Sequence, residues 1–599
     1  MGEKIKNRNE VAVEDTWAVE DLYATDADWE KDAARIKEFL DKLKTFEGTL
    51  AKSGEQLRDY FRFNEELDNW MDRISGYAFR KRDQDTGNGF YQDYAAKTMN
   101  MMVKISGADA FATPEILAIE EETLESYYKK TEGLEYYRGA IDNIRRKAKH
   151  VLSAEMEAVL ADVKDMANQP DSIFAMLDNA DITFAKAVDA QGKEHEVTHG
   201  SFIPLMSEND RVLRKSAFES VYSTYKQFSN TYASILSAQV KQLMFFAKTR
   251  KYENTLEAAL DETDVPVNVY HNLINAVHDN MDKMYKYVAL RKKLMGYDEL
   301  HFYDIYAPIT ESSSEKIPYE KAVEDILEAL KPLGEEYLAT LRSGFENRWV
   351  DKYENKGKRS GAYSAGSKVH PFVLMNYADT LDSEFTLAHE MGHAMHSYLS
   401  NKNQSPIYSH YVIFVAEIAS TCNEALLMQY LLGKTQDKKE RAILINHFLE
   451  QFRTTLYRQT MFAEFELLIN QMSERGETMT AEALCDMYGN LQKEYFGDEI
   501  IIDDQIRYEW CRIPHFYYNF YVFQYATGFS AAIALSRKIL KEGQPAVEKY
   551  LKFLSGGCSK DPISLLKEAG VDMTTAEPIN EALKLFGELI DEMDELVCK

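Results

Sequence analysis

The sequence predicts a mainly α-helical globular protein that carries one small β-sheet. Its 599 residues include only 13 prolines and 28 glycines, whereas 45% are hydrophobic and 28% are charged. That composition is typical of a folded helical chain with a large core, not of a disordered or fibrous one. Apolar residues also recur at intervals of three and four along much of the chain, which is the spacing of one face of a helix.

The charge and the cysteines limit the classes of partner and the compartment. A net charge of −28 disfavours nucleic acid, because such binding depends on Lys and Arg contacts to phosphate. The five cysteines are scattered without a Cys-x-x-Cys pair, so we expect reduced thiols. No apolar run has the length of a membrane span, and the N-terminus lacks the apolar segment of a signal peptide. We therefore expect a cytoplasmic protein with neither nucleic-acid nor membrane partners.

The N-terminal part of the chain is predicted to be helical. One helix is expected from Trp29 to Leu43, where apolar residues step by threes and fours, and Gly48 is expected to end it. Further start signals follow, because Pro114 suits a first helical position and Ser153 suits an N-cap.

The middle of the chain begins with a predicted hairpin. Residues 182–198 form two partly alternating runs around a Gln-Gly turn, and long helices are expected over 207–250 and 267–295. We place a domain boundary near the hairpin, which predicts an N-terminal helical domain at 1–200 and a second domain at 201–599.

Residues 299–380 predict strands and loops, because short aromatic runs and glycines replace the helical spacing. The run 369–377 has a strand-like centre, and Pro371 suits an edge strand or the first position of a strand. An edge strand here could pair with an extended peptide. An ordinary small sheet that covers the core fits the sequence equally well.

A His-Glu-x-x-His pattern at 389–393 is the centre of the predicted functional site. Residues 379–384 offer several N-caps and apolar residues follow at helical spacing, so the pattern is expected on a helix. His389 and His393 then share one face and can bind one zinc ion. Glu390 lies beside them, where a general base is required.

A catalytic zinc site needs a third protein ligand and an open position. One known continuation of the motif, with Gly at 396 and His at 399, is absent, because these residues are His396 and Leu399. Glu417 stands among apolar residues of a predicted following helix and is the favoured ligand, since an unpaired carboxylate there would be costly. Glu424 is the alternative ligand, or it holds a ligand histidine through its second ring nitrogen. His396 is interpreted as a supporting residue, because three ligands from one straight helix would strain a tetrahedral site.

A second candidate segment is rich in aromatic residues. A helix here would align His515, Tyr518, Tyr521 and Tyr525 along one face. An aromatic stripe is usually part of a core, but four buried polar tips would all need hydrogen-bond partners.

The runs 389–396 and 414–425 resemble the thimet oligopeptidase family of zinc metallopeptidases, and most closely its oligoendopeptidase F branch. The resemblance continues through 357–364 and 372–377 and extends over nearly the whole chain. It implies a large helical metallopeptidase with a small β-sheet beside the zinc helix and a deep substrate cleft.

The resemblance also implies roles for individual residues. The implied ligands of one zinc ion are His389, His393 and Glu417, and the implied catalytic residues are Glu390 as the base with His515 and Tyr521. The implied substrate-binding residues are Tyr518, Tyr525, Gly361 and Tyr363. The spacing of His515 and the tyrosines differs from the thimet oligopeptidase pattern.

The predicted function is that of a zinc-dependent endopeptidase that hydrolyses internal bonds of oligopeptides. Two alternatives stay open at this point. The same site could release dipeptides or single residues from a chain end, as a peptidyl-dipeptidase or carboxypeptidase does. The chain could also be a non-catalytic helical scaffold that binds peptides and carries the metal motif by chance.

Overall fold

A computed structural model describes residues 5–310 and 316–598 and divides the chain into two compact units. The first unit comprises Met1–Lys149, Glu315–Tyr430 and Leu535–Gly570. The second comprises His150–Ser314, Leu431–Ala534 and Val571–Lys599. The domain boundary expected near residue 200 stays a prediction.

The first unit is mainly helical. Its helices are Asp26–Ala33, Ile36–Lys44, Gly54–Asp83, Gly89–Asp109, Ala112–Leu117, Glu121–Lys130, Arg138–Arg146, Tyr319–Ala329, Glu335–Glu346, Leu381–Asn403, Pro406–Ser409, Gln544–Leu554 and Pro562–Glu568. Two further helices, Ile413–Lys434 and Phe523–Glu542, begin in one unit and end in the other. The helix expected from Trp29 to Leu43 is interrupted between Ala33 and Ile36.

The core of the first unit forms around the 30-residue helix Gly54–Asp83. The helix begins after Ser53, whose hydroxyl accepts the N–H of Gln56 at 3.3 Å. The indole N–H of the buried Trp29 donates to the Ile74 carbonyl at 3.0 Å, so this large side chain is both packed and hydrogen-bonded. Sheet residues Phe372 and Leu374 belong to the same core.

A three-stranded sheet completes the first unit. Phe372–Leu374 is its central strand, antiparallel to Tyr363–Ala365 and parallel to Val350–Asp351. Of the two placements that Pro371 suggested, an edge strand or the start of a strand, the edge strand was therefore wrong. Pro371 stands immediately before the strand, where no ladder hydrogen bond is required of it. The edge beside the helix Leu381–Asn403 is Tyr363–Ala365.

The expectation of strands and loops over 299–380 holds for Leu300–His301 and for the three strands of this sheet, but it missed two helices. The helices Tyr319–Ala329 and Glu335–Glu346 lie in this region. The first of them buries Tyr319, Ala322, Ile326 and Ala329. These residues are three and four apart, which is the spacing of one face of a helix.

The second unit is also mainly helical. Its helices are Ala154–Ala167, Gln169–Met176, His199–Met206, Arg211–Thr249, Thr255–Asp261, Val267–His278, Met281–Met295, Lys438–Gln451, Arg458–Glu474, Ala481–Phe496 and Glu577–Cys598. The predicted hairpin pairs Ala187–Val188 with Glu194–His195, and Leu300–His301 pairs in parallel with Ile500–Ile501. The mainly α prediction is confirmed. None of the helices in the described ranges is both long and apolar enough to cross a membrane.

Asp351 links the sheet to the buried ammonium of Lys358 and the partly buried guanidinium of Arg8. Arg8 Nη1 lies 2.9 Å from Asp351 Oδ1, and Lys358 Nζ lies 2.6 Å from the same oxygen. Burial alone would raise the pKa of Asp351, but Arg8 and Lys358 hold this pKa below its ordinary value. The carboxylate therefore contributes stability at neutral pH, and that stability is lost as the pH falls through the lowered pKa.

We expect Asp351→Ala to destabilise the first unit by about 3–5 kcal/mol, because it leaves the buried Lys358 and the partly buried Arg8 without their carboxylate partner. Amide hydrogen exchange in peptides that span 349–376 should become faster. The control is Asp15→Ala, which removes a partly exposed ion pair with Lys352 and should cost less than about 1 kcal/mol. Equal exchange in the two variants would contradict this account of the sheet.

Candidate metal centre and aromatic turn

The His-Glu-x-x-His pattern lies on the helix Leu381–Asn403, which we call the motif helix. It begins after Thr380, whose hydroxyl accepts the N–H of Ser383 at 3.1 Å, as the N-cap signals predict. Glu417 lies on the helix Ile413–Lys434, which we call the glutamate helix. The short helix Pro406–Ser409 lies between the two along the chain.

Three side-chain atoms converge between these helices. Glu417 Oε2 lies 3.3 Å from His389 Nε2 and 3.5 Å from His393 Nε2. The two imidazole Nε2 atoms are 3.2 Å apart. In a tetrahedral site with metal–ligand bonds of about 2.0–2.1 Å, neighbouring ligand atoms are about 3.3–3.4 Å apart. The donor set and its spacing therefore fit a zinc ion.

Glu424 contacts the opposite side of the His389 ring. Its Oε1 lies 2.6 Å from His389 Nδ1, so this ring nitrogen donates a hydrogen bond and Nε2 is the nitrogen that faces Glu417, where a metal would take the place of its proton. The sequence left two roles open for Glu424, as a metal ligand or as a residue that holds a ligand histidine. This distance matches the second role. Burial would lower the pKa of His389, but Glu417 and Glu424 raise this pKa well above its ordinary value.

Glu417 carries the complementary charge. Burial alone would raise its pKa, but hydrogen bonds from His389 and His393 hold this pKa well below its ordinary value. The carboxylate is thus kept ionised, as a metal ligand must be.

Close contact between the two helices brings these groups together. A Cβ on Gly392 would lie 2.6 Å from Ser420 Cα and 2.7 Å from the Ala419 carbonyl oxygen. Only glycine permits such an approach of backbone to backbone. The buried Asn423 adds a bond across the contact, since its Nδ2 donates to the Ala388 carbonyl at 3.2 Å. Sequence reasoning missed both residues, although an asparagine in an apolar run is a visible signal.

Glu390 is 7% exposed and lies one residue after His389. Burial raises its pKa. Its Oε2 makes no hydrogen bond to any residue within the described ranges. A buried carboxylate oxygen without a partner is costly, so this atom is suited to accept a proton from a water molecule or a substrate.

His396 is not one of the three convergent groups. It is buried and stacks on Tyr411, with ring centroids 3.7 Å apart. Burial lowers its pKa to about 3, with a further contribution from His393, so the ring is neutral. These contacts suit a packing role.

The two residues expected to bind substrate from the sheet have different surroundings. Gly361 is exposed with a φ of +78°, and its carbonyl accepts from Asn376 Nδ2 at 2.7 Å. Tyr363 lies on the edge strand, and its hydroxyl donates to Asp83 at 2.8 Å. The tyrosine hydroxyl is therefore already engaged within the first unit.

The expectation of one helix from His515 to Tyr525 was wrong. A short 3₁₀ segment, Pro514–Tyr517, is followed by two left-handed residues, Asn519 and Phe520, and the next helix begins only at Phe523. Hydrogen bonds from elsewhere in the second unit hold this backbone, as described below. We call residues 515–525 the aromatic turn.

The aromatic turn still gathers the four predicted side chains. The ring centroid of His515 lies 5.5 Å from that of Tyr518, 6.3 Å from Tyr521 and 6.0 Å from Tyr525. Burial lowers the pKa of His515, and the nearby Arg458 lowers it further. The imidazole is therefore neutral near pH 7 and can donate one hydrogen bond.

Comparison with known proteins gives consistent matches. Residues 204–585 match Peptidase family M3, and residues 115–184 match Oligopeptidase F. The chain is 47% identical over 597 residues to "Oligopeptidase PepF" of Bacillus subtilis, and the aligned region covers 100% of this chain and 89% of that protein. It is 38% identical to "Group B oligopeptidase PepB" of Streptococcus agalactiae, over 99% of each chain.

Solved structures agree with these matches. The crystal structure of a putative peptidase from Chlamydophila abortus superposes with a TM-score of 0.92 at 34% identity, over 99% of this chain and 100% of that one. Oligoendopeptidase-F from Enterococcus faecium gives a TM-score of 0.74 at 38% identity, over 96% and 99% of the two chains.

We expect Gly392→Ala to weaken zinc binding by about tenfold to a hundredfold, the size of effects that act through a metal site's supporting residues. The added methyl group would push the motif helix away from the glutamate helix and widen the spacing of the three donor atoms. Zinc titration against a competing chelator would measure the change.

Gly433→Ala is the matched control on the glutamate helix, because a Cβ there would meet no described residue within 4 Å beyond the backbone of its own helix. Zinc affinity in that variant should stay within about twofold of the unmodified protein, since an open helical glycine accepts alanine readily. Wild-type affinity in Gly392→Ala would show that close helix contact does not set the ligand spacing.

Proposed function

Since the chain belongs to peptidase family M3 and, within it, to the oligoendopeptidase F group, we propose that it hydrolyses internal bonds of oligopeptides with one zinc ion held by His389, His393 and Glu417. Membership makes it a metalloendopeptidase that acts on peptides. Zinc, the base and the individual roles are the proposed part. The observation that carries them is the triangle of ligand atoms, 3.2–3.5 Å on each side, beside an unpartnered buried carboxylate oxygen.

When bound, zinc supplies a Lewis acid that lowers the pKa of water to about 7 and polarises the scissile carbonyl. Glu390 accepts the proton of the attacking water and then delivers a proton to the leaving amine. Its raised pKa favours the first of these tasks, because a carboxylate with a higher pKa accepts a proton more readily. Glu424 fixes the ring orientation and tautomer of His389.

The aromatic turn supplies the proposed donors to the oxyanion. His515, which is neutral, and Tyr521 donate hydrogen bonds to the oxygen on which negative charge develops. Tyr518, which is 49% exposed, and Tyr525 contact the substrate. These roles are carried over from the family resemblance, and the shared clustering of the four rings supports them.

The sheet edge supplies the proposed backbone contacts. The strand Tyr363–Ala365 pairs only with the central strand within its sheet, so its other edge suits an extended peptide. Because the Tyr363 hydroxyl is bound to Asp83, we assign the contribution of Tyr363 to its backbone. Apart from its two chain neighbours, no described residue comes within 4 Å of a Cβ built on Gly361, which leaves room for close approach of a substrate. The deep cleft and the cytoplasmic location stay predictions.

Glu390→Gln should lower kcat by about a hundredfold to ten-thousandfold, because it removes the general base. The zinc content should remain one per chain, since the three ligands are unchanged. Asp382→Asn, at an exposed position of the same helix, is the control and should keep kcat within about twofold. Near wild-type kcat in the zinc-loaded Glu390→Gln protein would refute the proposed base.

Peptides with blocked ends distinguish internal cleavage from release at a chain end. We expect a peptide of about eight residues, acetylated at its N-terminus and amidated at its C-terminus, to be cut at an internal bond, with products identified by mass spectrometry. A chelator should stop the reaction, and zinc should restore it. If only unblocked peptides were cut, with dipeptides or single residues released, the exopeptidase alternative would be correct. Absence of any hydrolysis by the zinc-loaded protein would favour the non-catalytic scaffold.

A further inference from the structure

We propose that Glu466 and Gln239 are positioning residues that hold the aromatic turn in the conformation that gathers its histidine and tyrosines. This inference rests on the proposed function of His515 and Tyr521. All the contacts that carry it lie within the second unit.

The aromatic turn contains an unfavourable backbone conformation. Asn519 and Phe520 are adjacent and have φ values of +56° and +58°. Asparagine tolerates this left-handed region, but phenylalanine rarely adopts it. Strained backbone of this kind persists only where surrounding contacts hold it, and it is frequent at functional sites.

Glu466 provides the first of these contacts. It is 1% exposed on the helix Arg458–Glu474, and its Oε1 accepts the N–H of Phe520 at 2.5 Å. The Phe520 ring contacts Tyr270 on the helix Val267–His278, with ring centroids 5.7 Å apart, and the Tyr270 hydroxyl donates to the Ala463 carbonyl at 2.6 Å. The backbone of Phe520 is thus held by Glu466, and its side chain packs against Tyr270.

The buried carboxyl group of Glu466 acts here as a hydrogen-bond acceptor. Burial raises its pKa to about 8, despite the opposing effect of the Phe520 N–H. The group is therefore largely neutral near pH 7, and an amide of the same shape offers an equivalent acceptor oxygen. Its second oxygen, Oε2, makes no hydrogen bond with any of the described residues.

Gln239 provides the second contact, from the long helix Arg211–Thr249. It is 3% exposed, and its Nε2 donates to the Tyr517 carbonyl at 3.1 Å and to Asn519 Oδ1 at 2.8 Å. Gln239 and Glu466 therefore bind the backbone before and within the left-handed pair. Neither is assigned a contact with substrate. They act through the turn, which places Tyr518 and Tyr521 beside His515.

Asn519 allows a test that does not disturb the core, because this residue is exposed. Asn519→Ala and Asn519→Gly both remove the oxygen that Gln239 binds, but only alanine disfavours the left-handed conformation. We expect Asn519→Ala to lower kcat by about tenfold or more while KM stays within about twofold, as loss of donors aligned with the transition state requires. Asn519→Gly should keep most of the wild-type kcat.

A second matched pair tests Glu466. Glu466→Gln retains an acceptor for the Phe520 N–H, whereas Glu466→Met removes it. We expect the methionine variant to show the larger fall in kcat and the glutamine variant to keep most of the activity. Both pairs are measured on the full-length, zinc-loaded protein with an internally quenched peptide, together with zinc content and thermal midpoint.

Equal kcat values for Asn519→Ala and Asn519→Gly would overturn the proposal, and so would a loss that appears only in zinc content or thermal midpoint. His515→Ala, measured in the same assay, distinguishes failure of the positioning proposal from failure of the proposed role of His515. If it lowers kcat but Asn519→Ala does not, the positioning proposal alone fails. If His515→Ala leaves kcat unchanged, the proposed role of His515 fails and the positioning proposal fails with it. If Glu466→Met does not fold, Gln239→Met replaces it, because this variant removes the donor to Tyr517 and Asn519, and an unchanged kcat would overturn the proposal.

Discussion

Close packing of the motif helix on the glutamate helix is the constraint on which the candidate metal centre depends. At Gly392 the two backbones approach so closely that no side chain fits between them. This contact places Glu417 within 3.5 Å of both histidines and Glu424 within 2.6 Å of His389. Such a cluster of carboxylates and imidazoles would be costly to bury if its members were unpaired. A metal ion that the three inner groups bind would compensate for that cost.

The two units hold their proposed functional side chains in different ways. In the first unit, N-capping, the Gly392 contact and a buried asparagine fix the ligand atoms on rigid helices, which suits a metal geometry that tolerates little error. In the second unit, the aromatic turn departs from regular structure. Its unfavourable backbone is held by two buried polar side chains from distant parts of the sequence. Regular elements thus carry the proposed ligands, and a strained turn carries the proposed oxyanion donors.

Much of the geometry of the candidate metal centre could be predicted from the sequence, because it depends on residues close together in the chain. Two histidines four residues apart, an N-cap before them and a carboxylate in an apolar run all follow from helical spacing and from the cost of burying charge. The close approach at Gly392 could not be read in the same way, since a glycine within a helix shows nothing about what lies against it. The position of Glu424 behind His389 stayed undecided until the distance between them was known.

The aromatic turn was mispredicted for a physical reason. The spacing of His515 and the tyrosines favours a helix, but hydrogen bonds from Glu466 and Gln239 stabilise a left-handed pair within it. Tertiary contacts of this kind override local preference and leave no periodic signal. The central strand after Pro371 shows the same limit, because a proline just before a strand does not indicate which neighbours that strand will have.

Anomalous diffraction at the zinc absorption edge, from crystals of the purified full-length protein, tests the metal centre most directly. We expect one strong peak per chain, equidistant from His389 Nε2, His393 Nε2 and Glu417 Oε2 at about 2.0–2.2 Å. A peak elsewhere in the molecule, or zinc bound without Glu417 among its ligands, would contradict the assignment of these three residues.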